Sequence, residues 1–553
     1  MAKGYRPVPR DQAFLLPPDM RDWLPPGHPV WLVITVAEKH LDTSAVHALR
    51  RAGGAGAAGY DPDMLTALLV WAYANRVTSS RRIEGLCRTD IGFRVICAGD
   101  VPDHVTIARF RAGLGAAAAV LFDQVLVLCA KLGMGQLGLV TLDGMKIAAS
   151  ASLAANRTGD GLRKLAAQLS AEHAATDAAE DALFGPGVRG DEVPAELADP
   201  RSRDERIAAA LASIEAEQRA AQAARDQQAQ AYLDRAASGR PGRGSRPAAA
   251  DVTAARLKLD RVTAAQQARF DAWQQRNAEK IAATGRGLGG RAAVPPASHV
   301  RVRRAAAGLE RAQARAAAAQ REAAERQKNS KGPGPVRNTT DPHSRLMPVR
   351  GGGFIQGYNT QNVTSQDGLI IATQLTADPV DTAWFEPMLA AAQHAAARIT
   401  AHRPRAGDSD SDGTSGGGGG QIGLLLADAG YLSEHNLTID GPDRLIATGK
   451  TRHVGQAAKG QQPAGGWHRT GPATLAMATR LTTDEGITAY RHRGHIGERP
   501  HGHLKHNMGF RQLSVRGIPR VTAEWNLACT VANLFKAITA GHLTQQALTT
   551  LAA

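Results

Sequence analysis

The chain has 553 residues, too many for one compact core, and this length predicts about two to four domains. Lys and Arg outnumber Asp and Glu by 66 to 51, so the formal charge is +15, a balance that suits a polyanionic partner such as nucleic acid. Because the sequence lacks both the apolar stretch of a signal peptide and an apolar run of roughly 20 residues, we expect a cytoplasmic, nucleoid-associated protein without membrane contact.

Short helices separated by turns are predicted from about Asp61 to Gly113. The last of these helices lies in the segment PDHVTIARFR, after a prolyl turn. Its side chains that are predicted to face inward are Val105, Ile107 and Ala108. Those predicted to remain available to a nucleic-acid groove are His104, Arg109 and Arg111. A DNA-binding helix-turn-helix and an ordinary helical bundle fit this pattern of short helices and turns equally well.

Four cysteines are spread through the chain: Cys87, Cys97, Cys129 and Cys529. None belongs to a CxxC pair, so their spacing does not indicate a zinc ribbon or a redox centre. We expect reduced thiols in the core.

A buried strand is predicted where the apolar run from Leu137 to Leu142 ends in Asp143 and resumes at Ile147. A carboxylate in such a strand needs a partner or a metal ion. Asp143 is therefore a candidate functional residue.

Beyond Arg157 the composition shifts to Ala, Arg, Gln and Glu, and it stays so until about Asn338. Two apolar stripes predict two or three long helices that pack as an antiparallel hairpin. The stripes consist of Ile207, Leu211, Ile214 and Ala221, and of Ala255, Leu259, Val262, Phe270 and Trp273, with Gln218 and Gln266 interrupting them. A solvated spacer, a dimerisation element and a grip on flanking DNA all fit this inserted segment.

Strand patterning returns in GFIQGYNTQNVTS and DGLIIATQLTAD, which are predicted to form a hairpin. A helix from Thr382 to about Ile399 follows, with Asp381 as its expected N-cap. The tract at 406–420, rich in Gly, Asp and Ser, is predicted to be a flexible linker.

Two more strands are predicted after the linker. The first is the apolar run from Ile422 to Ala427, which ends in Asp428 much as the earlier strand ends in Asp143. The second is RLIATGK, which ends at Lys450, a residue that either contacts phosphate or is solvated.

Glu498 stands alone as an acid in a strongly basic segment, with seven Lys or Arg between Tyr490 and Arg520. Pro500 favours the first turn of a helix, so we expect a helix to begin near Glu498. Glu498 and Lys505 are two helical turns apart and would then share one face.

Three acids on separate elements are the kind of hard oxygen ligands that Mg²⁺ or Mn²⁺ requires. Two such ions, roughly 3.5–4 Å apart, would support cleavage and transfer of a phosphodiester bond. The neighbouring basic residues predicted to contact DNA phosphates are Arg491, Arg499 and Arg511.

These motifs resemble those of the DDE-type transposases of bacterial insertion sequences, whose catalytic domain has the ribonuclease H-like fold. The resemblance spans nearly the whole chain. The segments that carry it are PDHVTIARFR, DGMKI, DPHSRLM, QGYNTQNV, ADAGY and YRHRGHIGERPHGHLK.

The resemblance implies that Asp143, Asp428 and Glu498 are the catalytic triad and the metal ligands. It also matches Tyr490, Arg493 and Lys505 to the basic and aromatic positions of the family's signature. Six residues separate Glu498 from Lys505, as that signature expects. Four rather than three separate Arg493 from Glu498, which makes Arg491 the alternate to Arg493.

The implied fold is mixed α/β: a ribonuclease H-like core with a helical N-terminal region and a long helical insertion. The implied domains are a helical DNA-binding region at 1–130, the catalytic domain at 131–156 and 339–540, the insertion at 157–338, the linker at 406–420 and a tail at 541–553. Asp143 is expected on the first strand of the core, Asp428 on the fourth, and Glu498 on a late helix.

The implied function is metal-dependent strand cleavage and strand transfer at the terminal inverted repeats of an insertion sequence. The expected cofactors are two Mg²⁺ or Mn²⁺ ions. The expected partners are double-stranded DNA, at the element ends and the target, and further copies of the chain in a homodimer or higher multimer. A ribonuclease H-like nuclease or resolvase and a catalytically silent DNA-binding regulator are the alternatives.

Two alternative assignments concern neighbouring side chains. Glu434 is an alternative to Glu498 as the third acid, although it has no basic residues around it in the sequence and is expected to face solvent. The histidines between 492 and 506 are numerous enough to suggest zinc, but their spacing fits no familiar zinc site and no paired cysteines accompany them. We therefore expect a basic, DNA-facing surface formed by His492, His495, His501, His503 and His506.

Overall fold

The computed structural model describes residues 19–48, 59–169, 171, 203–238, 246–329, 335–349, 351–404, 421–449 and 471–552. The chain forms two compact units, one made of Met1–Asn156 with Asn338–Ala553 and the other of Arg157–Arg337. The predicted linker at 406–420 and Lys450 lie outside the described residues.

Helices dominate the described chain. In the first unit's N-terminal region they are α1 (Pro29–Lys39), α2 (Ser44–His47), α3 (Pro62–Ala74), α4 (Ser80–Thr89), α5 (Ile91–Ile96), α6 (His104–Gly113) and α7 (Ala117–Lys131). The second unit contains α8 (159–169), α9 (Arg203–Ala237), α10 (Ala248–Thr284) and α11 (Val300–Asn329). The C-terminal helices are α12 (Phe385–His402), α13 (Glu434–Thr438), α14 (Pro472–Arg480), α15 (Asp484–Gly502), α16 (Ile518–Thr539) and α17 (Gln545–Ala552).

The strands are β1 (Leu139–Ala148), β2 (Asn156–Thr158), β3 (Val336–Asn338), β4 (Arg345–Pro348), β5 (Phe354–Ser365), β6 (Ile370–Thr376), β7 (Leu424–Ala427) and β8 (Asp443–Ile446). All except β2 and β3, which pair with each other, belong to one mixed sheet. β5 pairs antiparallel with β1 on one edge and with β6 and β4 on the other. β1, β7 and β8 run parallel to one another. The predicted hairpin of β5 and β6 is confirmed.

The register of the parallel strands brings two acids together. Leu142 on β1 pairs with Ala427, the last residue of β7. Asp143 is the next residue of β1 and Asp428 is the residue that follows β7, so they lie side by side where β7 ends. Both strands are buried because their apolar runs are covered by helices on the faces of the sheet.

The N-terminal helices share one hydrophobic core with the sheet. α16 is buried along most of its length and packs against α3, α7 and β6. At this junction the ring of Phe510 packs at a tilt against Tyr73 of α3 and Trp525 of α16, with ring centroids 5.4 and 6.2 Å apart. All four cysteines are free and buried, as predicted.

The second unit contains three long helices, in agreement with the apolar stripes. α10 packs against both α9 and α11, and a hydrogen bond from Tyr232 Oη to Asp251 Oδ1 (2.9 Å) joins α9 to α10. Arg315 of α11 forms a 2.6 Å ion pair with Asp251. Gln266 is buried while Ala221 is exposed, so the predicted seam is only partly correct.

The helix that carries Glu498 begins earlier than predicted. α15 starts at Asp484, continues through Pro500 and leads into a π-helical turn at His503–Asn507. A proline inside a helix removes one backbone hydrogen bond, a cost that tertiary packing can offset. Here Ile496, Gly497 and Pro500 itself are buried against the rest of the unit, which keeps the helix continuous.

None of the described helices alone is long and apolar enough to cross a membrane. α6 and α7 taken together pass that test by length and composition only, with a bend of 78° between them.

The pairing of β1 with β5 depends on Gly357. A Cβ at this position would collide with the carbonyl oxygen of Ile147 on β1. We expect Gly357→Ala to lower the free energy of unfolding by about 1–3 kcal/mol, as over-packing does, measured by denaturant unfolding. Gly113→Ala, which meets no atom within 4 Å, is the control and should not destabilise the protein. Equal stability of the two variants would contradict this packing.

Candidate active site

Asp143 lies on β1 with its carboxylate in contact with three groups. Oδ1 accepts a hydrogen bond from Gly144 N at 3.0 Å and lies 3.8 Å from Arg493 Nη1, and Oδ2 lies 3.5 Å from His501 Nδ1. Burial acts to raise the pKa of Asp143, but His501 and Arg493 together outweigh it and the pKa is lowered. Asp143 is therefore a carboxylate at neutral pH.

Asp428 follows β7 and accepts a hydrogen bond from Gly430 N at 2.8 Å. Burial raises its pKa above the usual range for Asp, and the negative charges of Asp143 and Asp381 raise it further. Asp428 is half-buried and lies close enough to Asp143 and Asp381 for their charges to act on it. A divalent cation would relieve this repulsion, so the donors present fit Mg²⁺ or Mn²⁺.

Glu498 reaches the site from α15, with 59% of its side chain exposed. Its Oε1 lies 3.4 Å from Arg493 Nη2, so the guanidinium of Arg493 bridges Glu498 and Asp143. The helix can approach β1 closely because residue 497 is glycine. A Cβ there would lie 2.8 Å from Thr141 Cγ2 and 3.5 Å from Asp143 Cβ.

The three predicted acids thus lie in one region of the first unit. Asp143 and Asp428 are adjacent through the β1–β7 register, and Glu498 joins them through Arg493. Their oxygens do not form a closed cluster of the kind made by His47, Asp61 and Asp63, whose ligand atoms lie within 4.8 Å of one another. Arg493 lies between Asp143 and Glu498.

The remaining signature residues have different surroundings. Tyr490 Oη donates a hydrogen bond to Ala427 O at 3.1 Å, which fixes α15 to the end of β7 beside Asp428. Lys505 lies in the π-helical turn, where burial and then the charge of Arg511 lower its pKa. Within the described residues it makes no hydrogen bond or ion pair with the three acids.

Most of the residues predicted to contact DNA have exposed side chains, but Arg111 does not. Arg111 is buried in the N-terminal helices and donates hydrogen bonds to Thr78 O and to Ser80 Oγ, so its side chain is unavailable to a groove. Val105, predicted to face inward, is 42% exposed. His104 is half-buried and its Nδ1 contacts Glu84 at 2.8 Å. The exposed arginines are Arg109, Arg491, Arg499 and Arg511.

The rival acid Glu434 has a structural role. Its carboxylate accepts hydrogen bonds from the backbone N–H groups of Ala473 and Thr474, at 3.1 and 2.8 Å, in the first turn of α14. Glu434 is half-buried, so the expectation that it faces solvent is only partly correct. Such a capping carboxylate is satisfied by the helix end and is remote in role from the three acids.

The histidines of the basic segment have separate partners. His501 contacts Asp143, His503 contacts Asn507 at 3.2 Å, and His506 contacts Arg511 at 3.1 Å. His501 was predicted to belong to a DNA-facing surface, but it is buried, and only the fold places it beside Asp143.

Asp381 was also missed by sequence reasoning. It was predicted to cap the helix after β6, but its side chain makes no capping bond. Its Oδ1 instead accepts hydrogen bonds from Lys146 Nζ, Asn359 Nδ2 and Gln361 Nε2 at 3.0, 2.7 and 2.8 Å. The one signal in the sequence was the run of polar residues in the predicted strand β5, which includes Asn359 and Gln361 and would need hydrogen-bond partners if buried.

Comparison with known families agrees with this geometry. Residues 18–113 match the family model described as a transposase domain (DUF772), and residues 467–538 match the one described as a transposase DDE domain. The second match contains Glu498. The two matches support a DDE-type transposase of an insertion sequence, a class that generally uses divalent metal ions. Neither curated proteins nor solved structures gave a match.

The close approach of α15 to β1 can be tested at Gly497. Gly497→Ala inserts a methyl group against Thr141, so we expect a loss of about 1–3 kcal/mol in stability together with a loss of nuclease activity as Glu498 is moved away from Asp143. Gly502→Ala, on the same helix with open space around its Cβ position, should preserve both. Full activity of Gly497→Ala would show that this approach is unimportant.

The repulsion at Asp428 predicts a pH-dependent stability. Because the folded-state pKa is raised, the stability linked to this group is fully present below its unfolded pKa and is lost as pH rises through the folded pKa. In EDTA at neutral pH, Asp428→Asn should therefore unfold at a higher temperature than the unsubstituted protein. The difference should shrink as pH falls towards the ordinary Asp value of 3.8.

Exposed Asp440 provides the control, since Asp440→Asn should give no such gain. A stability loss for Asp428→Asn at every pH would rule out charge repulsion at this position.

Proposed function

We propose that the protein is a DNA transposase that cuts at the terminal inverted repeats of its element and joins the freed 3′ ends to target DNA. Asp143, Asp428 and Glu498 would hold its divalent ions. The observation that carries the proposal is the β1–β7 register, which sets two carboxylates side by side below the helix that carries the third. The match of that helix to a transposase DDE domain supports it.

A ribonuclease H-like core is part of the proposal. Its support is the strand sequence β6, β5, β1, β7, β8 across the sheet, with β1 antiparallel to β5 and parallel to β7. Leaving aside the short edge strand β4 and the β2–β3 pair, Asp143 lies on the first core strand and Asp428 follows the fourth. This is the placement that the family resemblance implies.

Bound Mg²⁺ or Mn²⁺, two ions in our proposal, would activate the attacking water or 3′-hydroxyl and stabilise the leaving oxygen. The chain's own residues prepare that site. Arg493 balances the charge of Asp143 and Glu498, and Tyr490 holds α15 against the end of β7. Arg491, Arg499, Arg511 and Lys505 would bind the phosphates of the DNA strand.

The proposed DNA partner suits the excess of positive charge and the exposed Arg109 in α6. Pairing of two element ends requires at least two copies of the chain, so we propose a dimer or higher multimer on DNA. The second unit, with its long helices α9, α10 and α11, would contribute to that assembly or to contacts with flanking DNA.

Removal of any one acid tests the assignment. Asp143→Asn, Asp428→Asn and Glu498→Gln should each reduce cleavage and strand transfer about a thousand-fold or more, since several kcal/mol of transition-state stabilisation are lost. Binding to a duplex that contains the element end should persist. Glu485→Gln, on the first turn of the same α15, is the control and should retain activity.

The assay also separates the alternatives. A nuclease or resolvase would cleave paired ends without joining them, and a regulator would bind without Mg²⁺-dependent cleavage. Retention of strand transfer by Asp428→Asn would refute the proposed site.

A further inference from the structure

The polar network around Asp381 lies against the turn that carries Asp428. Asp381 is only 22% exposed and Lys146 only 17%, so their 3.0 Å ion pair is largely screened from water. With Asn359 and Gln361 as further donors, the oxygen Oδ1 of Asp381 accepts three hydrogen bonds. A half-buried carboxylate with three hydrogen bonds to one oxygen has a fixed orientation.

Two glycines show how near this carboxylate lies to the acids. A Cβ on Gly430 would lie 3.0 Å from Asp428 Oδ1 and 3.2 Å from Asp381 Oδ2. A Cβ on Gly144, the neighbour of Asp143, would lie 3.0 Å from Asp381 Oδ1. Asp381 therefore lies against the backbone of Gly144 and Gly430, the glycines nearest to Asp143 and Asp428.

The segment that follows Asp381 is tied to the same turn. Thr382 Oγ1 donates to Gly430 O at 2.7 Å, and Asn436 Nδ2 donates to both Thr382 O and Tyr431 O, at 2.9 and 2.7 Å. Buried Tyr431 in turn donates its phenolic hydrogen to Gln361 Oε1. These bonds join the turn after β7 to the loop after β6 and to β5.

We propose that Asp381 is a positioning residue of the acidic site, which with Lys146, Gln361 and Thr382 fixes the turn that presents Asp428 beside Asp143. The inference rests on the proposed function, because it assumes that Asp428 holds a divalent ion. Partners that orient metal ligands typically contribute about 10–100-fold to metal affinity. Asp381 would orient Asp428 through the turn after β7, without binding the metal ion itself.

Mn²⁺ binding to the full-length chain without DNA tests the proposal. Asp381→Asn keeps an oxygen acceptor for Asn359 and Gln361 but loses the ion pair with Lys146, and we expect about ten-fold weaker binding. Asp381→Ala loses every bond and should bind more weakly still. Thr382→Val removes the bond to Gly430 without changing any charge and should also weaken binding.

Asp378→Asn is the matched control. Asp378 is exposed on the same loop and its carboxylate accepts a hydrogen bond from Trp384 Nε1 at 2.9 Å, a bond that Asn can also accept. Its Mn²⁺ affinity should equal that of the unsubstituted protein. The rise in unfolding temperature on adding Mn²⁺ compares each variant with itself, so a general loss of stability does not obscure the result.

The outcomes distinguish the two proposals. Normal Mn²⁺ binding by both Asp381 variants, with binding lost in Asp143→Asn, would overturn the positioning role and leave the proposed function standing. Equal losses in Asp381→Asn and Asp381→Ala with an unaffected Thr382→Val would also overturn it, in favour of direct ligation. Normal binding in Asp143→Asn and Asp428→Asn would instead refute the metal site itself.

Discussion

The parallel pairing of β1 with β7 is the constraint on which the site depends. It aligns Leu142 with Ala427, so that the next residue of each strand is an aspartate at the same level of the sheet. The apolar runs before the two acids are buried, which makes this register costly to shift. The sites of the first two carboxylates are therefore set by the same contacts that form the core.

The carboxylates of the site differ in how far nearby cations balance their charge. Arg493 lies between Asp143 and Glu498, whereas Asp428 forms no ion pair within the described residues; burial and the neighbouring acids raise its pKa more than Arg493 lowers it. On the other side of the turn, Lys146 neutralises Asp381. This uneven distribution leaves Asp428 as the carboxylate with most to gain from a divalent ion.

Local patterns predicted the elements that end in the acids, because an apolar run interrupted by Asp is visible in the sequence. The start of α15 was mispredicted because packing around Gly497 overrides the local effect of Pro500. Burial of Arg111 and the turning of Asp381 towards Lys146 depend on partners far away in the chain. Contacts of this kind leave no periodic signal, so they could be found only in the fold.

The convergence of three carboxylates on shared divalent ions can be measured directly by replacing Mg²⁺ with Fe²⁺ and mapping where locally generated hydroxyl radicals cut the polypeptide. The account predicts cuts in three segments distant in sequence: β1 near Asp143, the turn at Asp428 and α15 near Glu498. Mg²⁺ should suppress all three together. Cuts confined to the His47, Asp61 and Asp63 cluster, or absent from α15, would contradict it.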